Sequence, residues 1–381
     1  MKIAFTGGVT GGHFYPHIAV AEELRCIAAE NHLLDPTLYY LAPTPFDEKA
    51  LFENNIQYVR IPAGKTRRYF SLENFTGIFT TLYGTLRAFF TLFRMVPDVI
   101  FSKGGFGSVP VVLAARLMRI PVVAHESDSK PGRATLLAAK SAERIAITFD
   151  SSIQYFPKKV QGKIARTGIP VRARLMEPYA EGAAEKLSLD PTAPTVLILG
   201  GSSGSTRINE IILAALSDLV QYANLIHQTG KENFEDVSAR SRVILKNVAE
   251  VARYRAFPYL TQESLRRAYT VADVIVSRAG ATAITEISLA KKPAILIPIP
   301  EAVSHDQKTN AYSYARTGAA VVLEEENMTP HILVSEIRRI TSNPEVAERM
   351  RQSAEGFANP HAARIIAEEL IRIAHSHSNP L

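Results

Sequence analysis

Three glycine-rich turns carry the residues whose types and spacing could do chemistry. Gly7-Gly8-Val9-Thr10-Gly11-Gly12-His13 follows the apolar run Ile3–Thr6 and precedes a helical pattern around Ile18–Leu24. Ser102-Lys103-Gly104-Gly105-Phe106-Gly107-Ser108 ends the run Val99–Ser102, and Gly200-Gly201-Ser202-Ser203-Gly204-Ser205 follows Val196–Leu199. Glycine lets a backbone come close to a ligand, and a helix N-terminus offers unpaired N–H groups to an anion. Each turn stands at the C-terminal end of a parallel-strand candidate, where open α/β sheets take ligands. One such turn can be a tight turn and nothing more. Three, divided between the two halves of the chain, point to a cleft between domains that handles more than one phosphate group. The first is not a Walker A loop, because no Gly-Lys-Ser/Thr closes it. It also fits the dinucleotide fingerprint poorly, since Leu41-Ala42-Pro43 stands where an acidic residue should end the second strand.

Side chains with chemistry stand beside these turns. His13 closes the first one; an imidazole with an ordinary pKa of about 6.5 suits a general base at neutral pH, and a structural role is the alternative. Glu286 lies one turn into a helix that starts after Ser277-Arg278-Ala279-Gly280. A carboxylate there can accept both hydroxyls of a ribose, or merely favour the helix dipole. Ser304-His305-Asp306-Gln307-Lys308-Thr309-Asn310 is a polar segment that reads as a ligand contact or as an ordinary helix cap. His125-Glu126-Ser127-Asp128 has no metal-ligand spacing, and no metal is expected there.

The elements that must position these groups alternate between strand and helix. Strand candidates are Ile3–Thr6, Thr37–Leu41, Tyr58–Ile61, Val99–Ser102, Val122–His125 and Arg144–Thr148. A second series is Val196–Leu199, Leu225–Gln228, Val251–Ala256, Val274–Ser277, Ala294–Pro298 and Ala319–Leu323. Alternation of this kind means parallel sheets with helices on both faces. Two series predict two doubly wound α/β domains, which 381 residues accommodate at roughly 150 per domain. Glycine and proline in Arg166-Thr167-Gly168-Ile169-Pro170 mark the join. The expected domains are 1–168 and 169–345, with C-terminal helices in 346–381 packing back on the first.

Apolar residues make up 46% and charged residues 21%, a globular composition. The lone Cys26, read as a small core residue, rules out an intramolecular disulfide and a cysteine-based zinc site. The N-terminal apolar run is too short for a signal-peptide core, so no export is expected. Net charge is +6 and the pI near 9.2. Residues 1–169 hold 20 Lys/Arg against 13 Asp/Glu, whereas residues 170–381 hold 23 against 24, so the positive excess lies in the first half. A basic half can meet nucleic acid, an anionic membrane or a phosphorylated substrate. No aromatic-basic motif supports nucleic acid, and a mean hydropathy of +0.01 tilts toward a membrane surface. Lys65, Arg67 and Arg68 precede Phe75, Ile78, Phe79, Leu82, Leu86, Phe89, Phe90 and Phe93, which share one helical face. The charge-free stretch Asn74–Leu86 is far below the roughly 20 residues of a span. That face packs on the sheet, lies on anionic lipid, or roofs a groove for a lipid substrate.

The ordered set Gly8-Val9-Thr10-Gly11-Gly12-His13, Gly104-Gly105-Phe106-Gly107-Ser108-Val109-Pro110, Gly168-Ile169-Pro170-Val171-Arg172, Gly200-Gly201-Ser202, His227-Gln228-Thr229-Gly230 and Arg278-Ala279-Gly280 with Glu286 resembles the MurG family, the N-acetylglucosaminyltransferases of bacterial peptidoglycan synthesis. The likeness runs from residue 1 to about residue 323. It implies a GT-B fold, two Rossmann-like domains facing a cleft. It implies transfer of GlcNAc from UDP-GlcNAc to the C4 hydroxyl of MurNAc in undecaprenyl-linked lipid I, giving lipid II. The place implied is the cytoplasmic side of the cell inner membrane, as a peripheral protein without a cofactor, among other cell-wall synthesis proteins. The first domain would take the acceptor and touch the membrane, and the second would hold the donor.

By the same resemblance Glu286 would bind the ribose, Ala281 and Thr282 would sit by the donor phosphates, and Gln307 would contact the sugar. Ser202, Arg172 and Asp128 would lie near the nucleotide or its phosphates, and Leu260 would face the uracil. Thr10, Gly11 and Gly12 would line the donor–acceptor junction, Gly7, Gly8, Gly104, Gly105 and Ser108 would hold the acceptor pyrophosphate, and His13 would be the base. Three positions depart from the family pattern. Asp128 stands for a usual Asn, Ser203 for a usual Gln, and Ile169 for a usual Asn. The chemistry implied is a single displacement with inversion. The rival readings are a transferase of the same fold with a diacylglycerol acceptor, a UDP-GlcNAc epimerase, and a non-enzymatic scaffold.

Overall fold

Short β-rich runs form two sheets in the computed structural model, which describes residues 1–65, 72–177, 179, 182–201, 204–246, 248–301 and 306–378, with 72–75, 377 and 378 described by backbone alone. The chain divides into two units, Met1–Arg172 with Asn359–Leu381, and Ala173–Ala358. In the first unit β1 (Lys2–Thr6), β2 (Thr37–Ala42), β3 (Ile56–Arg60), β4 (Val99–Ser102), β5 (Val122–Glu126), β6 (Arg144–Ile147) and β7 (Ile164–Arg166) make one sheet, ordered β3-β2-β1-β4-β5-β6-β7. In the second unit β8 (Thr195–Leu199), β9 (Asn224–Gln228), β10 (Tyr254–Phe257), β11 (Val274–Ser277), β12 (Ala294–Leu296) and β13 (Ala320–Val322) are ordered β10-β9-β8-β11-β12-β13. Every pairing is parallel, and the central strands are buried along their length. Strand order therefore reverses between β1 and β4, and again between β8 and β11. Those are the switch points where a doubly wound sheet opens a crevice.

Apolar helix faces close both sheets. The helix Gly11–Glu30 buries Phe14, Ile18 and Leu24 on Phe5 and Tyr40. The last helix, Ala362–Ser378, adds Ile366, Leu370 and Ile373 to the same core. Burying each of these side chains stabilises by about 1.5–3 kcal/mol. The exposed pair Arg364–Glu30 on the same helices, at 2.5 Å, adds little beside this burial. The second unit extends past residue 345 to Ala358, because the helix Pro344–Ala354 inserts Ala347 and Met350 into the second core.

Three sequence expectations change. Cys26 is exposed on the first helix, so it is not a core residue. Val251 lies in a 3₁₀ turn, Ala249–Arg253, and the strand begins after it. The apolar stripe of the helix Leu72–Met95 does not pack on the sheet: Ile78, Phe79, Leu82, Leu86, Phe90 and Phe93 are exposed, with Phe79 at 69%. The buried side is the opposite one, Gly77, Gly84, Ala88, Leu92 and Met95. Small residues are required there: a Cβ on Gly84 would meet Pro62 O at 1.8 Å, and Gly64 N–H donates to Thr81 Oγ1 at 3.1 Å. Arg67 and Arg68 lie outside the described residues. Among those residues, no helix is long and apolar enough to cross a membrane.

Candidate functional site

At the first switch point the two glycine turns press on each other. A Cβ on Gly107 would lie 2.4 Å from Gly7 O, and one on Gly105 would lie 2.8 Å from Gly8 Cα. Gly104 and Gly105 have φ of +74° and +76°, which side chains other than glycine adopt only under strain. So Gly105 and Gly107 are glycines because two backbones meet there, whereas a Cβ on Gly7 would meet His17 Nε2 at 2.8 Å and one on Gly8 the His13 ring at 3.0 Å. Ser108 is buried, and its Oγ donates to Gly105 O at 2.9 Å. The hydroxyl thus closes its own turn.

The helix Gly11–Glu30 starts at the first turn, and its N-cap Thr10 makes no side-chain bond to the backbone. The Thr10 hydroxyl meets His13 Nδ1 at 2.8 Å instead, which leaves Nε2 with no partner among the described residues. Burial and then the Lys103 charge lower the His13 pKa to about 4, so its imidazole is neutral at physiological pH. Below it, His17 packs edge-on to Phe101, and among the described residues neither ring nitrogen has a hydrogen-bond partner.

Two charged side chains lie beneath these turns. Lys103 is 2% exposed, its N–H donates to Thr6 O at 2.9 Å, and its ammonium meets Ser127 Oγ. Burial, partly offset by Glu126 and Asp128, holds its pKa down to about 8. Glu126 ends β5, where its carboxylate accepts from Asp128 N–H and from Gly132 N–H, each at 3.0 Å. Burial and the Asp128 charge push Glu126 up to about 7. His125 Nε2 meets Gly168 O at 2.8 Å, tying β5 to the segment that leaves the sheet. His125 and Glu126 thus brace backbone, and Asp128 is carried on the loop that Glu126 shapes.

At the second switch point the turn after β8 is closed on one side, where a Cβ on Gly204 would lie 2.1 Å from Thr229 O, and the start of the helix after β11 stays open. The helix Ala281–Leu289 has Gly280 as its N-cap with no side-chain bond, and a Cβ on Gly280 would meet nothing within 4 Å. Gly201, with φ +89°, also faces open space. Ala281 is buried and Thr282 half-buried at the helix start. One turn on, Glu286 Oε2 accepts from the buried Tyr269 hydroxyl at 3.0 Å. Arg278 clamps the base of this site, with Nη2 on Ser205 Oγ at 2.6 Å and on Glu325 at 2.5 Å. Gln228 joins two segments: Nε2 donates to Gly201 O at 3.0 Å and Oε1 accepts from Leu260 N–H at 2.9 Å. His227 is internal, held between Tyr254 OH and Asn209 Oδ1.

Placement of the remaining expected residues is mixed. Gly11 and Gly12 form the first helical turn beside Thr10. Arg172 stacks 4.2 Å over the Tyr15 ring and belongs to the first unit. Leu260 has its side chain buried, and its N–H donates to Gln228 Oε1. Gln307 Oε1 accepts from Ile299 N–H at 3.2 Å, bracing the loop before its helix. Ser202 and Ser203 lie outside the described residues. Sequence reasoning missed Lys103, Tyr269 and Gln228 as builders of the two sites. A charged or amide residue ending an apolar strand run was the available signal for Lys103 and Gln228. Tyr269, on a helix remote in sequence from Glu286, gave none.

The N-terminal domain model of glycosyltransferase family 28 matches residues 3–147, and its C-terminal domain model matches residues 195–366. The chain belongs to glycosyltransferase family 28. Among family 28 relatives is the UDP-N-acetylglucosamine–N-acetylmuramyl-(pentapeptide) pyrophosphoryl-undecaprenol N-acetylglucosamine transferase of Treponema denticola. It is 32% identical over 97% of this chain and 96% of its own length. A crystal structure of Acinetobacter baumannii MurG, 26% identical, matches with a TM-score of 0.71 over 97% of this chain and 99% of that one. A Neisseria meningitidis UDP-GlcNAc 2-epimerase bound to UDP-GlcNAc, 15% identical, matches with a TM-score of 0.68 over 98% of this chain and 100% of that one. That last likeness shows shared fold alone. Two parallel α/β domains carrying these family 28 matches make the fold GT-B.

Proposed function

We propose that this chain transfers N-acetylglucosamine from UDP-GlcNAc to the C4 hydroxyl of MurNAc in undecaprenyl-pyrophosphoryl-MurNAc-pentapeptide, forming lipid II. The observation that carries it is the 32% identity, over nearly all of both chains, to the Treponema transferase of that name. The donor belongs to the second switch point. The open start of the helix Ala281–Leu289 suits the UDP diphosphate, and Glu286 suits the ribose, its carboxylate held by Tyr269. The acceptor belongs to the first switch point, with His13 as base.

In the reaction the acceptor C4 oxygen bonds to the anomeric carbon from the face opposite UDP. The bond from that carbon to the diphosphate oxygen breaks, and the hydroxyl proton passes to His13 Nε2. Configuration inverts. Charge gathering on the leaving diphosphate meets fixed N–H groups, an arrangement that favours the transition state over the ground state.

The chain works as a peripheral protein on the cytoplasmic side of the inner membrane. Support comes from the exposed stripe Ile78, Phe79, Leu82, Leu86, Phe90 and Phe93 with the exposed Arg87, Arg94, Arg116 and Arg119. Incubation with radiolabelled UDP-GlcNAc and a lipid I analogue, beside a parallel reaction with diacylglycerol, tests the reading. Label on the lipid I analogue alone is the expected result, and label on diacylglycerol alone overturns the acceptor. Anionic vesicles should sediment the wild type and leave Phe79→Ser/Phe93→Ser in solution. Equal sedimentation of both would remove the membrane role of this helix.

A further inference from the structure

Among the described residues Lys103 is the sole buried lysine or arginine. An ammonium carries three donors. Ser127 Oγ is the one hydrogen-bond acceptor that the Lys103 ammonium meets among the described residues. Glu126 and Asp128 act on it only through space, and the Glu126 oxygens are engaged by the N–H groups of Asp128 and Gly132. His13, His17 and His125 lie within reach of its charge, and burial keeps each of them neutral, so none neutralises the ammonium. A cation buried with donors unmatched is costly.

Its position says what would match it. Lys103 is the last residue before Gly104 and Gly105, and a Cβ on Gly7 would lie 3.4 Å from Lys103 Cβ. The side chain therefore starts beside the joined glycine turns and ends at Ser127, just after β5. Its partner Ser127 is half-exposed, so the ammonium lies one hydroxyl from solvent. An anion arriving at the Ser127 side of the closed turns would be the missing acceptor. Both substrates of the proposed reaction carry a diphosphate, and the donor's is matched by the open helix start of the other unit.

We propose that Lys103 is the counter-cation for the diphosphate of the lipid-linked acceptor, held ready beside the two glycine turns of the first domain. This rests on the transferase reading above. It adds a binding residue outside the glycine backbone, and it makes the first domain selective for a doubly phosphorylated lipid over a monophosphate.

The test compares wild type, Lys103→Met and Lys103→Gln on two short-chain acceptors, MurNAc-pentapeptide linked through a diphosphate and through a monophosphate. Lys103→Met should raise the KM for the diphosphate acceptor roughly 10- to 100-fold, the scale of a lost charge-assisted hydrogen bond. The KM for UDP-GlcNAc should stay within about twofold, and the wild type's preference for diphosphate over monophosphate should collapse. UDP affinity and a thermal melt check the fold, and Lys103→Gln carries the test where the Met variant does not fold. An unchanged acceptor KM overturns the proposal. So does an equal loss on both acceptors, and so does a rise confined to the UDP-GlcNAc KM, which would give Lys103 to the donor. Wild type inactive on both acceptors is a different result: it removes the transferase reading, and the proposal with it.

Discussion

At the switch point of the first sheet a Cβ on Gly107 would lie 2.4 Å from Gly7 O; at the switch point of the second a Cβ on Gly280 would meet nothing within 4 Å. The same sequence signature, a strand followed by glycines and a helix, thus has two causes. In the first unit glycine allows two turns to close over a buried lysine, a buried glutamate and three histidines. In the second Gly204 again meets backbone, at Thr229 O, while Gly280 leaves a helix start open with Glu286 braced one turn away. A glycine-rich turn does not by itself say whether its emptiness is for a ligand or for another backbone. The first site is built from side chains under a lid of backbone, and the second from backbone with side chains behind it.

The largest effects should separate chemistry from donor binding. His13→Ala should lower kcat by about 10²–10⁴-fold with the UDP-GlcNAc KM nearly unchanged. Glu286→Ala should act mainly on the UDP-GlcNAc KM, as steady-state kinetics with each substrate varied would read. A donor-KM effect from His13→Ala would break the division of labour between the units.

Acid should distinguish the units next. Burial lowers the pKa of His13, His17 and His125 in the first unit, and of His227, to about 3, in the second. A group with a lowered folded pKa binds its proton first in the unfolded chain, so stability is full above pH 6.5 and falls as pH drops below it. Glu126, raised to about 7, opposes one of the three histidines. The net is two protons in the first unit against one in the second. Between pH 6.5 and 5 the first unit should lose about 3 kcal/mol and the second somewhat under 2, roughly half as much. Hydrogen exchange followed peptide by peptide would show equal losses if the buried cluster were not what sets the difference.

Gly107→Ala should destabilise the first unit by about 2–3 kcal/mol, because backbone cannot yield as a side-chain tip can. Gly280→Ala, with φ −66° and open space, should stay within about 0.5 kcal/mol of wild type in a thermal melt and act on the donor KM. The smallest effect belongs to Tyr269→Phe. It keeps the ring, loses the bond to Glu286, and should raise the UDP-GlcNAc KM about fivefold while sparing the acceptor KM.

Most strands were legible because a strand buried on both faces must be an unbroken apolar run, as Val196–Leu199 and Val274–Ser277 are. β7 (Ile164–Arg166) was not, being a three-residue edge strand with little apolar signal. Val251 read as strand because β-branching raises strand propensity, and its 3₁₀ turn overrode that. The helix Leu72–Met95 was legible as amphipathic, but its faces were not assignable. Periodicity reports that a helix has an apolar side, and not what covers it; here glycine and alanine face the protein.

What the sequence determined by itself is the alternation of strand and helix, the three glycine turns at strand ends, the basic first half, and a motif set specific enough to indicate family 28. These are local, since each depends on residues near one another in the chain. The tertiary structure decided which glycine touches which, that Lys103 lies buried on Ser127, that Tyr269 holds Glu286, and that an apolar stripe faces outward. Those pairs are far apart along the chain, and only the order of strands in each sheet brings them within reach.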